Sequence, residues 1–288
     1  MKPLRLRIRD AAVTVGLDQH IVELDYAIGH LLASIYQDAI LSETLILKGG
    51  TALKKSYYPD YKFSLDLDFT AVSSAPSGKA LEAALQMIVT RTQDRLLEYG
   101  PFAFTWRRHV ERTPHPRGQE AFDIHIQFPW QRTPLIMIKI EITFDEPMIF
   151  DRQERLLVHG YEEELKAVLH CYSLEEILAE KLRAVLQAQQ KLAEKGWVAR
   201  ARDYYDLWQI LVRGKSQLNF MILPDLLRRK CEIRDVGFAG INDFFPAHLL
   251  KTVEQGWQRG LSEVVRQPPS FPRMISELRI LLQDVPIT

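Results

Sequence analysis

The sequence predicts an α+β fold in which the first half of the chain mixes strands with long helices and the second half is mostly helical. Three segments, 102–110, 121–128 and 135–144, are rich in β-branched and aromatic residues and read as strands. Beyond Asp151 the apolar residues recur mostly at helical spacing. The 288 residues are 47% hydrophobic and 10% aromatic, which is enough for the cores of one large or two moderate domains.

Charge and cysteine content exclude several classes of protein. The formal net charge is zero, so the field of the whole molecule gives no reason to expect nucleic-acid binding. Two local basic regions, 91–117 and 200–234, fit either an RNA-binding surface or solvated helix faces. The two cysteines predict neither a disulfide framework nor a cysteine zinc site. No apolar run approaches the ~18 residues of a membrane span, so we expect a cytoplasmic protein without a membrane partner.

The elements of the first half follow from spacing and turn residues. One long amphipathic helix is predicted between Asp18 and Leu41, and another from Ala80 to Tyr99, where Gly100-Pro101 ends it. A turn at 114–118 separates the first two strand candidates. The candidate at 135–144 alternates most strictly, and the polar face of this strand carries Lys139 and Glu141 together.

A Gly-Gly turn joins a short apolar strand, Thr44 to Leu47, to a helix predicted to start at Thr51. Gly49 and Gly50 allow positive φ or close backbone approach. Backbone N–H groups at such a strand-to-helix corner bind anions readily. The P-loop pattern and the GxGxxG pattern are both absent, and an ordinary tight turn has the same composition.

Two aspartates follow within an apolar run. On a strand, Ser64, Asp66 and Asp68 project from one face, because side chains alternate with a period of two. Adjacent carboxylates repel unless a cation or water neutralises them, and Mg²⁺ prefers carboxylate oxygens. A solvent-facing edge strand is the alternative. A neighbouring strand would place Glu141 beside Asp66 and Asp68 as a third carboxylate for one or two metal ions.

The second half offers a lysine and two acids on predicted helices. Ser173 has the form of a helix N-cap, and Lys181 lies on the flank of the helix that follows. Lys181 is either a surface lysine in an i,i+4 pair or a phosphate contact. A further helix is predicted at 199–211, with Asp203 near its start and Asp206 one turn on. Asp203 either stabilises the positive N-terminus of the helix or belongs to a functional site.

Five segments in this order resemble the AbiEii family of nucleotidyltransferase-like toxins: LKGGTAL, KFSLDLDF, KIE, EEILAEKLRAVL and RARDYYDLWQIL. The series spans roughly Leu45 to Leu211. The resemblance implies a DNA polymerase β-like minimal nucleotidyltransferase domain with a mixed sheet, followed by a helical portion. We expect these at residues 1–165 and 166–288, with the helical domain completing the active site.

The resemblance also implies roles for individual residues. The nucleotide-binding set comprises the turn and the positions around it: Lys48, Gly49, Gly50, Thr51, Lys62 and Ser64. The catalytic set comprises the metal-binding acids Asp66, Asp68 and Glu141, together with Lys181 and Asp203. Lys62 stands where the family commonly has arginine, and so loses bidentate phosphate geometry. Ser64 occupies a position at which some members are inactivated by phosphorylation.

The implied reaction transfers a nucleoside monophosphate from an NTP to an acceptor hydroxyl and releases pyrophosphate. Mg²⁺ or Mn²⁺ on the acids would assist attack on the α-phosphate, and Lys181 would stabilise the leaving pyrophosphate. Asp203 would orient Lys181 or assist deprotonation. The implied acceptor is the 3′ end of tRNA, and the implied partner is an AbiEi-like antitoxin encoded nearby. A small-molecule or protein acceptor, and a binding protein that has lost catalysis, are the alternatives.

Overall fold

The computed structural model describes residues 2–110, 118–196 and 200–287. The chain divides into two compact units, Met1–Tyr172 and Ser173–Thr288. This boundary falls after Tyr172 and not after residue 165, because Val168–Cys171 forms a strand of the first unit's sheet. The turn predicted at 114–118 lies outside the described residues except for Gly118.

A mixed sheet of seven strands forms the first unit, as the α+β prediction requires. The strands are β1 (Leu45–Lys48), β2 (Asp66–Ala71), β3 (Ala103–Arg108), β4 (Gln119–Gln127), β5 (Ile136–Thr143), β6 (Gln153–Leu156) and β7 (Val168–Cys171). Their order is β3-β4-β5-β2-β1-β7-β6. The pairs β1/β7 and β2/β5 are parallel, and the remaining neighbours are antiparallel. The parallel pairing of β2 with β5 brings together two strands that are distant in sequence.

Among the residues that the structure describes, five α-helices accompany the sheet: α1 (Leu4–Val15), α2 (Gln19–Ile35), α3 (Leu41–Thr44), α4 (Gly49–Ala52) and α5 (Gly78–Leu96). The Asp18 carboxylate accepts a hydrogen bond from the His20 N–H and caps α2, which packs against α5 and β5. The predicted helix was to reach Leu41, yet α2 ends at Ile35. The Asp38 carboxylate accepts from the N–H groups of Ile40 and Leu41 and so starts α3 as a separate turn.

The prediction of mostly helical structure beyond Asp151 was wrong for β6 and β7. Each of these strands has only four residues, which is too short for a periodic pattern. Their pairing with each other and with β1 supplies the backbone hydrogen bonds that define them.

Five α-helices form the described part of the second unit: α6 (Leu174–Lys195), α7 (Ala201–Gly214), α8 (Leu223–Ile233), α9 (Ala247–Leu261) and α10 (Phe271–Gln283). The Ser173 hydroxyl accepts from the Glu176 N–H, so the predicted N-cap is confirmed. The fully buried Glu176 carboxylate pairs with Lys230 Nζ at 2.9 Å and links α6 to α8. None of the helices in the described part of the chain has the length and apolar character to cross a membrane.

Candidate active site

Three strands at the centre of the sheet align one cation and two acids. Lys48 on β1 is in register with Asp68 on β2, and Asp68 is in register with Glu141 on β5. Residues in register on adjacent strands project to the same face. Leu67 is fully buried whereas Asp66 is exposed and Asp68 half-buried, so the alternation predicted for this segment is confirmed. The structure therefore brings Glu141 beside the aspartate pair.

A second row of charged residues crosses the same face. Asp66 is in register with Lys139, Lys139 with Asp123 on β4, and Asp123 with Arg107 on β3. Lys139 Nζ donates a hydrogen bond to Glu141 Oε1, which joins the two rows. The charges alternate in sign along the second row, so each one partly neutralises its neighbours.

Asp123 is a member of this face that sequence reasoning missed. Its side chain is buried, and its carboxylate lies 3.1 Å from Arg107 Nε and 2.9 Å from His109 Nδ1. The signal was available, because Asp123 interrupts the apolar strand segment 121–128 much as Asp66 interrupts its own.

The Gly-Gly turn lies directly against the aspartates. Gly49 has a φ of +71°, and a Cβ added there would lie 2.9 Å from Asp68 Oδ2. A Cβ on Gly50 would lie 3.2 Å from both Lys62 Nζ and Ser64 Oγ. Only glycine accommodates both the positive φ and the close approach at residue 49. The turn thus gathers three of the predicted site residues, Asp68, Lys62 and Ser64, around its two glycines.

The helix after this turn begins earlier than predicted. It starts at Gly49 rather than Thr51, and α4 continues as a π-helical turn from Leu53 to Tyr57. Thr51 Oγ1 donates a hydrogen bond to the backbone carbonyl of Asp66, which ties the start of the helix to the start of β2. The first-turn N–H groups and the positive end of the helix dipole therefore lie beside the acidic strand.

Two lysines and a serine flank this turn. Lys48 Nζ lies 3.8 Å from the buried carboxylate of Glu146, a residue that the sequence did not single out, and 5.8 Å from the Tyr172 ring centroid. Lys62 is also buried, with its Nζ beside Gly50 and over the Tyr61 ring. Ser64 precedes β2, so the prediction that it shares a strand face with the aspartates was wrong, because the strand begins only at Asp66.

The second unit holds a separate charged cluster. Lys181 on α6 places its Nζ 2.7 Å from Asp203 Oδ1 and 2.9 Å from Asp206 Oδ2, both on α7. Arg200 Nη1 lies 3.0 Å from Asp203 Oδ2. Asp206 is fully buried, and sequence reasoning assigned it no role beyond its spacing from Asp203. Lys181 is therefore an interhelical ion-pair residue and not a surface lysine paired within its own helix.

Comparison with known proteins identifies the family. The family model described as "Nucleotidyl transferase AbiEii toxin, Type IV TA system" matches residues 30–279. The chain belongs to the AbiEii family. It is a nucleotidyltransferase toxin, as the motif resemblance implied, and its family belongs to a type IV toxin–antitoxin system.

A solved structure shares the fold of this AbiEii-family toxin. MenT4, the nucleotidyltransferase toxin Rv2826c from Mycobacterium tuberculosis H37Rv, superposes with a TM-score of 0.67 at 20% sequence identity. The match covers 97% of this chain and 89% of MenT4. No curated protein matches the toxin in sequence. The structural similarity shows a common α+β architecture.

The ionisation of the α6/α7 cluster in the toxin limits what its acids can do. Burial acts to raise the pKa of Asp203, but the charges of Lys181 and Arg200 outweigh it and lower the pKa to about 2. Burial likewise opposes the charge on Lys181, but the two carboxylates outweigh it and raise the pKa of Lys181 well above its ordinary value. A general base needs a pKa near the working pH. Asp203 is thus suited to orienting the Lys181 ammonium and poorly suited to accepting a proton.

The acids of the central sheet have the donor chemistry of a divalent-metal site. Asp66, Asp68 and Glu141 offer carboxylate oxygens from one face, the ligand type that Mg²⁺ and Mn²⁺ prefer. Asp66 is exposed, and Asp68 and Glu141 are only partly buried, so these oxygens are open to solvent and substrate. The residues present therefore fit a divalent cation such as Mg²⁺.

Several arginines of the first basic region are committed to internal contacts. Arg95 donates to Ser34 Oγ at 3.0 Å, and Arg108 Nη2 lies 2.8 Å from carboxylate oxygens of both Glu82 and Glu120. Residues 111–117 of this region lie outside the described residues. Arg108 is thus paired with carboxylates and Arg95 is held by a neutral partner, which weakens the interpretation of region 91–117 as a surface for RNA.

Proposed function

We propose that this toxin transfers a nucleoside monophosphate from an NTP to the 3′-terminal hydroxyl of tRNA. The acceptor oxygen forms a bond to the α-phosphorus, the bond between that phosphorus and the oxygen bridging to the β-phosphate breaks, and pyrophosphate leaves. The acceptor hydroxyl loses its proton to solvent water in the step. The observation that carries the proposal is the common face of Asp66, Asp68 and Glu141 with the Gly49 turn packed against Asp68.

The Gly-Gly turn is assigned to the triphosphate. The helix beginning at Gly49 offers N–H groups that have no partner within the helix, together with a positive dipole end. Lys48, Lys62 and Ser64 add polar groups at the same corner. Thr51 acts by holding the helix to β2 through its bond to the Asp66 carbonyl. These contacts favour an anionic ligand immediately beside two carboxylates, a combination that a bound cation makes stable.

The acidic face is assigned to the metal. Asp66, Asp68 and Glu141 would hold Mg²⁺ or Mn²⁺. The bound ion would lower the pKa of the acceptor hydroxyl and neutralise charge on the α-phosphoryl group. Lys139 holds the Glu141 carboxylate by a hydrogen bond and so orients it. Exposure of Asp66 leaves room for the acceptor end to approach.

The α6/α7 cluster is assigned to the leaving group. Lys181 stays protonated at any physiological pH because two carboxylates surround its ammonium group. A permanent positive charge suits stabilisation of pyrophosphate as it departs. Asp203 and Asp206 act as positioning residues for this lysine.

The acceptor is tested with purified toxin, Mg²⁺, total RNA and each of the four NTPs labelled at the α-phosphate. We expect label in tRNA, and loss of label in Asp66→Ala and Asp68→Ala variants. Asp10→Ala, at an exposed aspartate on α1, is the matched control and keeps full activity. Label on protein or on a small molecule, with unlabelled RNA, would show a different acceptor.

Sequencing tRNA 3′ ends after brief expression reports the acceptor, the nucleotide and the number of additions together. Toxicity that persists in the Asp66→Ala variant would show that growth inhibition comes from binding and not from catalysis. For the antitoxin, membership of a type IV system implies a partner protein, and we propose an AbiEi-like one encoded nearby.

A further inference from the structure

A second group of potential metal ligands lies inside the first unit and shares no residue with the acidic face. His30 is on α2, and His159 and Glu163 are in the segment between β6 and β7. His159 Nε2 lies 3.4 Å from Glu163 Oε1, and His30 Nε2 lies 3.9 Å from the same oxygen. One ligand atom from each residue lies within 4.8 Å of the others, and all three side chains are more than nine-tenths buried.

The polar atoms of this cluster are not satisfied by the protein. Among the residues that the structure describes, neither ring nitrogen of His30 or His159 has a hydrogen-bond partner, and neither does Glu163 Oε1. The hydroxyl of Tyr26 is likewise buried and unpaired, and its ring lies 4.7 Å from the His30 ring and 5.5 Å from the His159 ring. Buried polar groups in proteins are nearly always paired. The atoms without hydrogen-bond partners converge from four side chains, which indicates a ligand that they bind together.

The distances and the donor set point to a borderline divalent metal. Tetrahedral zinc with bonds of about 2.0–2.1 Å places its ligand atoms roughly 3.4 Å apart, close to the separations from Glu163 Oε1. Two imidazoles disfavour Mg²⁺ and Ca²⁺, which select oxygen ligands.

Neighbouring residues favour this arrangement. Arg7 on α1 donates to Glu163 Oε2, which leaves Oε1 facing the two histidines. Outer hydrogen bonds of this kind orient the carboxylates that ligate metals. A Cβ added at Gly29 would lie 2.7 Å from His159 Nδ1, so glycine at this position allows the imidazole to approach α2.

We propose that His30, His159 and Glu163 bind a zinc ion that has a structural role. The ion joins α2 to the segment that connects β6 with β7, and the Arg7 contact extends that link to α1. Deep burial of the three ligands separates this site from catalytic zinc and iron sites, which keep a coordination position open to substrate.

The test uses the full chain expressed with added ZnSO₄, dialysed, and analysed by plasma mass spectrometry. We expect about one zinc per chain, and less than a tenth of that in a His30→Gln, His159→Gln double variant. An Asp66→Ala, Asp68→Ala variant, which alters only the acidic face, keeps its zinc. Zinc retained equally by the histidine variant would overturn the proposal.

A second measurement uses the unaltered protein and so does not depend on whether the variant folds. Chelator-treated protein is titrated with ZnCl₂, and its thermal midpoint is followed. We expect a rise of about 5–10 °C at a 100-fold excess over Kd, and a cobalt-loaded sample with the visible absorption of tetrahedral Co²⁺. No zinc after expression and no rise on titration would show a buried hydrogen-bonded cluster filled by water, and would overturn the proposal.

Discussion

Replacement of Gly49 by alanine tests both the positive φ of the turn and its close approach to the Asp68 carboxylate. At a φ of +71°, a residue with a Cβ costs about 1–2 kcal/mol. The new Cβ would also lie 2.9 Å from Asp68 Oδ2, and turning that carboxylate away from its rotamer costs about 0.5–1.5 kcal/mol. We expect a total near 2–3 kcal/mol, which lowers the thermal midpoint of the first unit by about 5–10 °C.

The effect on activity is larger than the effect on stability. Displacement of one metal-binding carboxylate by about 1 Å reduces catalysis on the order of 100-fold. The assay is nucleotidyl transfer with α-labelled NTP and total tRNA at 20 °C, well below the lowered midpoint, with circular dichroism to confirm folding. Mg²⁺ dependence is measured in parallel, and we expect a higher half-saturating concentration because Asp68 is misplaced.

Gly78→Ala is the matched control for this experiment. Gly78 also has a positive φ, +54°, but a Cβ there meets nothing within 4 Å. This variant should lose only the backbone term of about 1–2 kcal/mol and keep full activity. If Gly49→Ala were as active as Gly78→Ala, the position of Asp68 would not matter for transfer, and its assignment as a metal ligand would be refuted.

Three further predictions concern the two units. Lys181→Met leaves the carboxylates of Asp203 and Asp206 without their shared ammonium group, and should lower the free energy of unfolding of the helical unit by about 3–5 kcal/mol in urea denaturation; Lys215→Met, which removes an exposed pair with Asp284, should cost less than about 1 kcal/mol. The pKa of Asp203 is about 2 in the folded state against 3.8 in the unfolded one, so this group contributes about 2 kcal/mol that is present above pH ~4 and lost as pH falls towards 2. Asp203→Asn should therefore flatten the stability curve between pH 4 and pH 2, and an unchanged slope would contradict the ion pair. Thr51→Val removes the hydroxyl bonded to the Asp66 carbonyl and should cost about 1 kcal/mol in thermal unfolding, with reduced transfer; Thr90→Val, whose hydroxyl bonds within the exposed face of α5, should leave transfer unchanged.

Predictions from local residue spacing were confirmed where the spacing repeats over many residues. The alternation in 135–144 predicted β5 and its polar face to within a residue at each end. The helical spacing after Ser173 predicted α6, and the N-cap was confirmed. The strands β6 and β7 were not predicted, because four residues carry too little periodicity. Ser64 was wrongly placed on a strand, because alternation of side chains does not mark the residue at which strand pairing begins.

Long-range partners were harder to foresee. Glu141 was expected beside Asp66 and Asp68, and the parallel β2/β5 register brings it there. Asp123 and Asp206 were not assigned to the site, because their significance depends on Lys139 and Lys181, which belong to other elements. A lone acid in a sequence gives no sign of which cation it faces after folding.

The sequence by itself determined which segments form the principal helices and strands, and the order of motifs that marks an AbiEii-family nucleotidyltransferase toxin. Only the tertiary structure decided the strand register that aligns Lys48 with Asp68 and Glu141, and the meeting of His30 with His159. The physical reason is range. Periodicity and turn chemistry act between near neighbours, whereas register and convergence depend on the packing of the entire fold.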